Sequence, residues 1–424
     1  MLKLNYMESV ELPPNWTIGF RPAKHWAWVI WVVQSWNTLD LAWHNPLHLD
    51  PSELKILRTI PKHSGLILAA NHSDEMDPRV CIELSRRSHR RFTYMMNTEA
   101  FEEYHGMAGW WLQRLGCFSV ERGGSAQAAK RYAVDVVKKG HDALVMFPEG
   151  EISYLNDLVQ PFKTGVVHMG LQAITETLEV HSPWTAYLLP VAIKYRYRKP
   201  IGLILNKKIL AMEKHLLIRS NFLSFQEKII RIMARILKRR GQSCLGPLSR
   251  ADTRSAPTLT RLKEQVRQTQ TAILSKIETK YPNIQIDPKA QIVDRAQKII
   301  FFLRKQLSQK RLFTCETQIQ LQKDIKDLKK TIQMAAWQPQ YIDLSPSEER
   351  LAETVMKLER EVFKLKRPRP LGKRDIFIGI GHPLDLVSYV ESYQKNPSAI
   401  SHQIAEELRD NIQSLLFQRD IMWE

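Results

Sequence analysis

The sequence predicts an α/β fold: a mostly parallel or mixed sheet flanked by helices, with an N-terminal interfacial helix and a large helical insertion. Three observations predict it. Between about residues 60 and 200, short apolar runs alternate with helical stretches, the signature of a sheet covered on both faces. After about residue 206 the strand-like runs stop and long amphipathic helices replace them. Strand character then returns at residues 375–380, DIFIGI, so the helical block interrupts the sheet domain and does not follow it. The expected organisation is an N-terminal helical segment over 1–50, an α/β core over 51–206, a helical insertion over 207–368 and a return to the core over 369–424.

Residues 24–44 read as a tryptophan-rich helix, with Trp28, Val32, Trp36, Leu39 and Trp43 recurring on one side. Indole favours a membrane interface because the ring is apolar while its N–H seeks a polar partner. A helix packed on the core is the competing reading. Residues 65–70, GLILAA, suit a buried strand. Asp77 and Pro78 then open a helix, with Asp77 as its cap and Pro78 in the first turn. Strands are expected at 92–97, 116–120, 143–147 and 187–195, with helices at 100–115, 125–139 and 163–179. Residues 221–240 form a basic amphipathic helix. Phe222, Phe225, Ile229, Ile232 and Ile236 share one face, and Lys228, Arg231, Arg235, Lys238, Arg239 and Arg240 carry the charge. Long helices are expected near 258–281, 290–336 and 346–366, and a last one at 397–417.

Lys and Arg number 62 against 44 Asp and Glu, a net charge of +18. Such a chain is drawn to an anionic partner. Nucleic acid is not expected, because no zinc-finger or aromatic RNA-binding motif accompanies the charge. The four cysteines, Cys81, Cys117, Cys244 and Cys315, lie far apart without zinc-ligand spacing, so no metal site is expected and reduced thiols are. No run approaches the length of a spanning helix, and the N-terminus lacks the features of a signal peptide.

Four short segments carry candidate chemistry. In NHSDEMD, His72 follows a strand and Asp77 begins the next helix. A carboxylate in such a loop can fix the imidazole tautomer and leave the other nitrogen to take a proton. Asp74 and Glu75 are alternative partners for His72. In FPEGEIS, Pro148 ends a strand and Glu149 with Gly150 forms a turn where a carboxylate can meet a substrate hydroxyl. In LGCFSVERGG, Arg122 precedes two glycines, a setting that suits a phosphate. In LLPVAI, Pro190 lies inside a strand and so belongs at an edge or a bulge.

In this order and at these separations the four segments resemble the glycerolipid acyltransferase family, of which lysophosphatidic acid acyltransferases are familiar members. The resemblance covers about residues 60–200 and resumes near 375–390, at IGIGHPLDL. It implies that His72 is the catalytic base and Asp77 the residue that orients it. Gly116, Phe118 and Arg122 match the second motif, with Arg122 as the implied phosphate ligand. Pro148, Glu149 and Gly150 match the third, linked to the acceptor. Pro190 matches the fourth, linked to the acyl donor. Phe162, Lys163 and Gly165 are similar to the basic patch that follows the third motif.

The implied reaction uses no cofactor, no metal and no acyl-enzyme. A hydroxyl deprotonated by His72 attacks an acyl-coenzyme A or acyl-carrier-protein thioester. The implied acceptor is a lysophospholipid, foremost 1-acyl-glycerol-3-phosphate; glycerol-3-phosphate and a phosphate-free alcohol are alternatives, as is a non-enzymatic basic scaffold. The implied setting is the cytoplasmic face of an anionic membrane, in peripheral or monotopic attachment, with acyl carrier protein as a further candidate partner. Two departures stand out. Many relatives read FPEGTRS where this chain has Glu151 and Ile152, and the helical insertion is outside the common pattern.

Overall fold

The computed structural model describes residues 19–124, 126–178, 184–218, 223–245, 259–308, 314–343 and 346–421. Its residues cluster into two units. One holds Gly19–Glu121, Ser125–Arg198 and Lys373–Glu424; the other holds Arg122–Gly124 and Lys199–Gly372. The long stretch of the helical unit runs over Lys199–Gly372.

The first unit is built on an eight-stranded sheet. In chain order its strands are β1 (Leu47–Leu49), β2 (Gly65–Ala70), β3 (Phe92–Asn97), β4 (Cys117–Val120), β5 (Ala143–Met146), β6 (Ala186–Tyr197), β7 (Arg374–Ile380) and β8 (Leu384–Asp385). The spatial order is β1-β7-β6-β2-β5-β3-β4, with β8 also on β6. Pairings of β2 with β5 and β6, of β3 with β4 and β5, and of β1 with β7 are parallel; β6 pairs antiparallel with β7 and β8. All six residues of β2 are buried. A strand with parallel neighbours on both sides and covered faces requires such an unbroken apolar run.

Helices α1 (Ala27–His44), α2 (Pro51–Thr59), α3 (Asp77–Ser88), α4 (Thr98–Glu102), α5 (Met107–Leu115), α6 (Gln127–Lys139), α7 (Gly165–Leu178), α14 (Val390–Lys395) and α15 (Pro397–Ile421) belong to this unit. Two hydrophobic clusters line the sheet. One joins β2 and β5 side chains to α6, α7 and α15 through Val137, Ile174, Leu408 and Ile412. The other joins them to α2 and α3 through Leu57, Val80 and Leu84.

Helix α1 packs on α3 through Asn37, which donates to the Arg79 carbonyl at 2.9 Å and accepts from Arg79 Nε at 2.8 Å. The opposite face, Trp28, Val32, Trp36, Leu39 and Trp43, is exposed. Pro190 departs from expectation, because β6 is a central strand. Antiparallel pairing on one side of β6 covers Tyr187–Leu188 with β8 and resumes at Val191 with β7. Pro190 sits in the gap between them, where a missing N–H disrupts no ladder on that side. Its carbonyl accepts from Gly381 N–H at 3.0 Å.

The second unit contains α8 (Gly202–Leu216), α9 (Phe225–Leu245), α10 (Leu259–Lys280), α11 (Ile292–Ser308), α12 (Cys315–Met334) and α13 (Glu348–Phe363). The single helix expected over 290–336 is two, α11 and α12, whose buried side chains Ile299, Leu303, Leu321, Ile325 and Leu328 share one core with Ile273 and Leu274 of α10. The apolar face of α9 is also interior: Ile229, Ile232 and Ile236 are buried, and Phe222 lies outside the described residues. The exposed apolar side chains of this unit include Leu203, Leu210 and Leu217, on and just after α8. Among the described residues no helix is long and apolar enough to cross a membrane.

Candidate active site

The loop that leaves β2 is held from three sides before any chemistry enters. Asn71 spans β6: its Nδ2 donates to the Ile193 carbonyl at 2.9 Å and its Oδ1 accepts from Ile193 N–H at 2.8 Å. The His72 backbone N–H donates to Glu149 Oε1 at 2.7 Å. The His72 carbonyl accepts from Ser153 N–H at 2.8 Å and from Ser153 Oγ at 3.1 Å. Because β5 is the neighbour of β2, the turn after β5 falls beside the turn after β2, and the two motifs meet although 77 residues separate His72 from Glu149. Carboxyl ends of adjacent parallel strands are where such sheets gather reactive groups.

His72 Nδ1 lies 2.9 Å from Asp77 Oδ2. The Asp77 side chain is fully buried and the His72 side chain is 12% exposed, so the pair has a protected end and an accessible end. The Phe147 ring stacks on the imidazole at 4.2 Å between centroids. Asp77 is the first residue of α3, but its carboxylate does not cap that helix; the cap position is Met76, without a side-chain bond. The carboxylate turns back instead, accepting from Asp74 N–H at 2.9 Å and from Tyr195 Oη at 2.6 Å. Burial pushes the Asp77 carboxyl above its ordinary range, while the bonds from His72 and Tyr195 oppose that rise.

The two alternative partners of His72 are engaged elsewhere. Asp74 pairs with Arg374 Nη1 at 2.7 Å and accepts from Met76 N–H at 2.9 Å. Glu75 accepts from Tyr154 Oη at 2.9 Å.

Glu149 is a brace for the His72 loop. Its Oε1 is committed to the His72 N–H, and its Oε2 is buried without a well-aligned donor. Burial, with the nearby Asp77 charge adding to it, pushes its carboxyl up to about 8. Gly150 adopts φ +78°, and a Cβ there would lie 2.9 Å from Lys163 Cε. Its hydrogen thus serves both the left-handed backbone and the passage of the lysine stem. Lys163 N–H donates to the Pro148 carbonyl at 2.9 Å, fastening the segment that carries Phe162 and Lys163 against the turn.

The second motif is placed differently. Gly116 ends α5 at φ +107°, with His25 and the Phe92 carbonyl where a side chain would be. Phe118 is wholly buried, its ring 5.0 Å from Tyr132 and 6.3 Å from Phe20, as a core residue. Arg122 follows β4, the edge strand, and clusters with the helical unit; Gly123 and Gly124 leave no room for side chains against Gln297 and Phe301 of α11. The unit that holds His72, Asp77, Glu149, Gly150, Lys163 and Pro190 does not hold Arg122.

Sequence reasoning did not single out Asn71, Phe147, Ser153, Tyr195 or Arg374. Tyr195 and Arg374 reach the site through the β6–β7 pairing, which no local pattern announces.

Chemically, the arrangement presents a histidine with one nitrogen tied to a buried carboxylate and the other, Nε2, making no hydrogen bond among the described residues. That is the composition of a general base. The chain is similar to known proteins in two comparisons. The family model described as Acyltransferase matches residues 52–194. A 1-acyl-sn-glycerol-3-phosphate acyltransferase of Streptococcus pneumoniae is 32% identical over 84 residues, 20% of this chain and 30% of the relative. The chain thus spans under a third of the length of that curated relative. The similarity to acyltransferases thus lies in residues 52–194, the segment that carries His72, Asp77, Glu149, Gly150, Lys163 and Pro190.

Proposed function

We propose that this chain is an O-acyltransferase that moves a fatty acyl group from a thioester to the hydroxyl of a lysophospholipid, with 1-acyl-glycerol-3-phosphate as the acceptor. The observation that carries the proposal is the 2.9 Å contact between His72 Nδ1 and the buried Asp77 carboxylate. Asp77 holds the proton on Nδ1, so Nε2 is the basic nitrogen. The acceptor hydroxyl gives its proton to Nε2 as its oxygen attacks the thioester carbonyl. The C–S bond then breaks, and the departing sulfur takes the proton back from the imidazolium. Coenzyme A or an acyl carrier protein supplies the thioester in this reading, and Lys163 supplies a cationic contact to the acceptor phosphate.

A second reading keeps the reaction and replaces the acceptor by a phosphate-free alcohol. It is favoured by Glu151, which puts a carboxylate where relatives have an uncharged residue, and by Ile152, which stands where they have arginine. An acceptor panel separates the two. Purified protein is incubated in liposomes with radiolabelled acyl-coenzyme A or acyl carrier protein, and with 1-acyl-glycerol-3-phosphate, glycerol-3-phosphate, a lysophosphatidylcholine or a long-chain alcohol. Labelled phosphatidic acid as the main product supports the first reading; a labelled neutral ester alone replaces it by the second.

We also propose attachment to the cytoplasmic face of an anionic membrane. Support comes from an exposed aromatic surface shared by two elements of the sheet unit. Trp26 and Trp28 at the start of α1 lie 5.7 Å and 5.9 Å from Trp110 and Trp111 of α5, and the Arg114 guanidinium sits over Trp26 and Trp110. Exposed aromatic patches of this kind mark interaction surfaces. The basic helix α9 contributes charge alone, because its apolar face is spent inside the helical unit. Lys207 and Lys214 alternate with Leu203, Leu210 and Leu217 along the exposed side of α8, a mixture that suits a lipid surface better than water.

A further inference from the structure

We infer that Tyr195 and Arg374 are positioning residues for the His72–Asp77 pair, so that β7, which follows the helical unit in the chain, completes the active site; this rests on the acyl-transfer reading. Both residues lie outside the 52–194 segment that matches the family model. The Tyr195 hydroxyl donates to Asp77 Oδ1 at 2.6 Å, on the oxygen that His72 does not use. Arg374 then holds both remaining members of the cluster. Its Nη1 bonds Asp74 Oδ2 at 2.7 Å, and its guanidinium carbon lies 4.5 Å from the centre of the Tyr195 ring. Asp74 in turn donates its backbone N–H to Asp77 Oδ2. Each Asp77 oxygen is therefore fixed by a donor whose own position depends on Arg374.

The arrangement has a physical purpose. A buried carboxylate with only His72 for company could rotate, or could hold the proton itself, and either would end its service as an orienting acceptor. Two further donors fix its plane and favour its ionised form against the effect of burial. The pairing Arg196↔Asp375 and Tyr197↔Arg374 in the β6–β7 ladder sets Arg374 within reach of Tyr195 and the β2 loop. The titratable and charged groups facing Asp77 are His72 and Asp74 from the loop, Cys81 from α3, Glu149 from the turn after β5, Tyr195 from β6 and, through Asp74, Arg374 from β7. Burial, with Asp77 and Asp74 beside it, raises the Tyr195 phenol well above its usual range, so it stays protonated and donates.

Tyr195→Phe keeps the ring under Arg374 and removes only the hydroxyl. Losing a donor makes ionised Asp77 less stable and leaves more of its charge for His72, so both groups hold protons to higher pH. The expected result is a kcat lowered by about tenfold with KM for both substrates within about twofold, and an acid limb of the rate profile displaced upward by about half a unit or more. The His72 ring, followed by nitrogen-15 resonances of the full-length protein, should titrate at correspondingly higher pH. Arg374→Met should lower kcat further, and Arg374→Lys should restore part of the loss. If Tyr195→Phe leaves both the acid limb and the His72 titration in place, the inference is overturned, whether or not the rate falls. The ring titration needs no turnover: were wild-type protein to transfer no acyl group, the functional reading would fail while this measurement still decided the positioning role.

Discussion

Glu149 Oε1 accepts the backbone N–H of His72 at 2.7 Å, so the carboxylate of one motif fastens the loop of another. Besides the expected role toward the acceptor, Glu149 thus has a structural use of its Oε1. Its partner is the peptide immediately before the His72 ring, and any change at Glu149 is transmitted to the base.

The burial of Glu149 makes stability depend on pH in a defined direction. The carboxyl titrates near 4.5 when free and is raised to about 8 here. Below 4.5 both folded and unfolded forms are protonated and Glu149 has no effect. Between about 4.5 and 8 the folded protein binds a proton that the unfolded chain does not, so stability falls as pH rises through this window. Glu149→Gln keeps an acceptor oxygen for the His72 N–H and cannot ionise. Its melting temperature should fall less steeply than that of the wild type between pH 5 and 8, with a gain of up to a few kcal/mol at the upper end. Parallel melting curves across the window would refute the assignment.

Gly150→Ala should cost about 1 kcal/mol, because φ is +78° and residues with a side chain are strained in the left-handed region. The lysine stem 2.9 Å away is flexible and can yield, so the protein should remain folded. Its displacement should raise KM for a phosphate-bearing acceptor more than for the thioester. Saturation curves for the two substrates, with melting measured alongside, check both statements.

Membrane attachment should depend on α1 more than on α9. Trp31 is 69% exposed and Trp43 is 75% exposed, and neither is needed by the core. Replacing both by Ala should reduce flotation with anionic liposomes by tenfold or more, taking about 1.5–3 kcal/mol for a large apolar side chain withdrawn from water. Charge reversal at Arg231 and Arg239 should weaken flotation at low salt and matter little at high salt. The opposite ranking would transfer the membrane contact to the helical unit.

The sequence disclosed the sheet strands that are buried on both sides and hid the contacts made across the sheet. GLILAA and FTYMMN begin and end where β2 and β3 do, because strands between covered faces must be continuously apolar or nearly so. Helix α8 escaped notice since its exposed Leu203, Leu210 and Leu217 blur the alternation that marks a helix face. Strand β1 has only three residues, too few to show a period. Asp77 beside Pro78 reads locally as a cap, yet the carboxylate finds stronger partners in His72 and Tyr195. Arg374 reaches Asp74 across 300 residues of chain, a contact created by strand pairing and invisible to any local pattern.

In the proposed reaction His72 is the base and Asp77 its orienting partner. The most direct test measures labelled acyl transfer to 1-acyl-glycerol-3-phosphate by the wild type, His72→Ala and Asp77→Asn, at pH 7.5 and matched protein concentration, with circular dichroism confirming the fold. His72→Ala should lower kcat by about 10²–10⁴-fold with melting nearly unchanged, and Asp77→Asn should lower it strongly because the wrong tautomer is favoured. A folded His72→Ala protein that turns over at close to the wild-type rate would contradict the assignment.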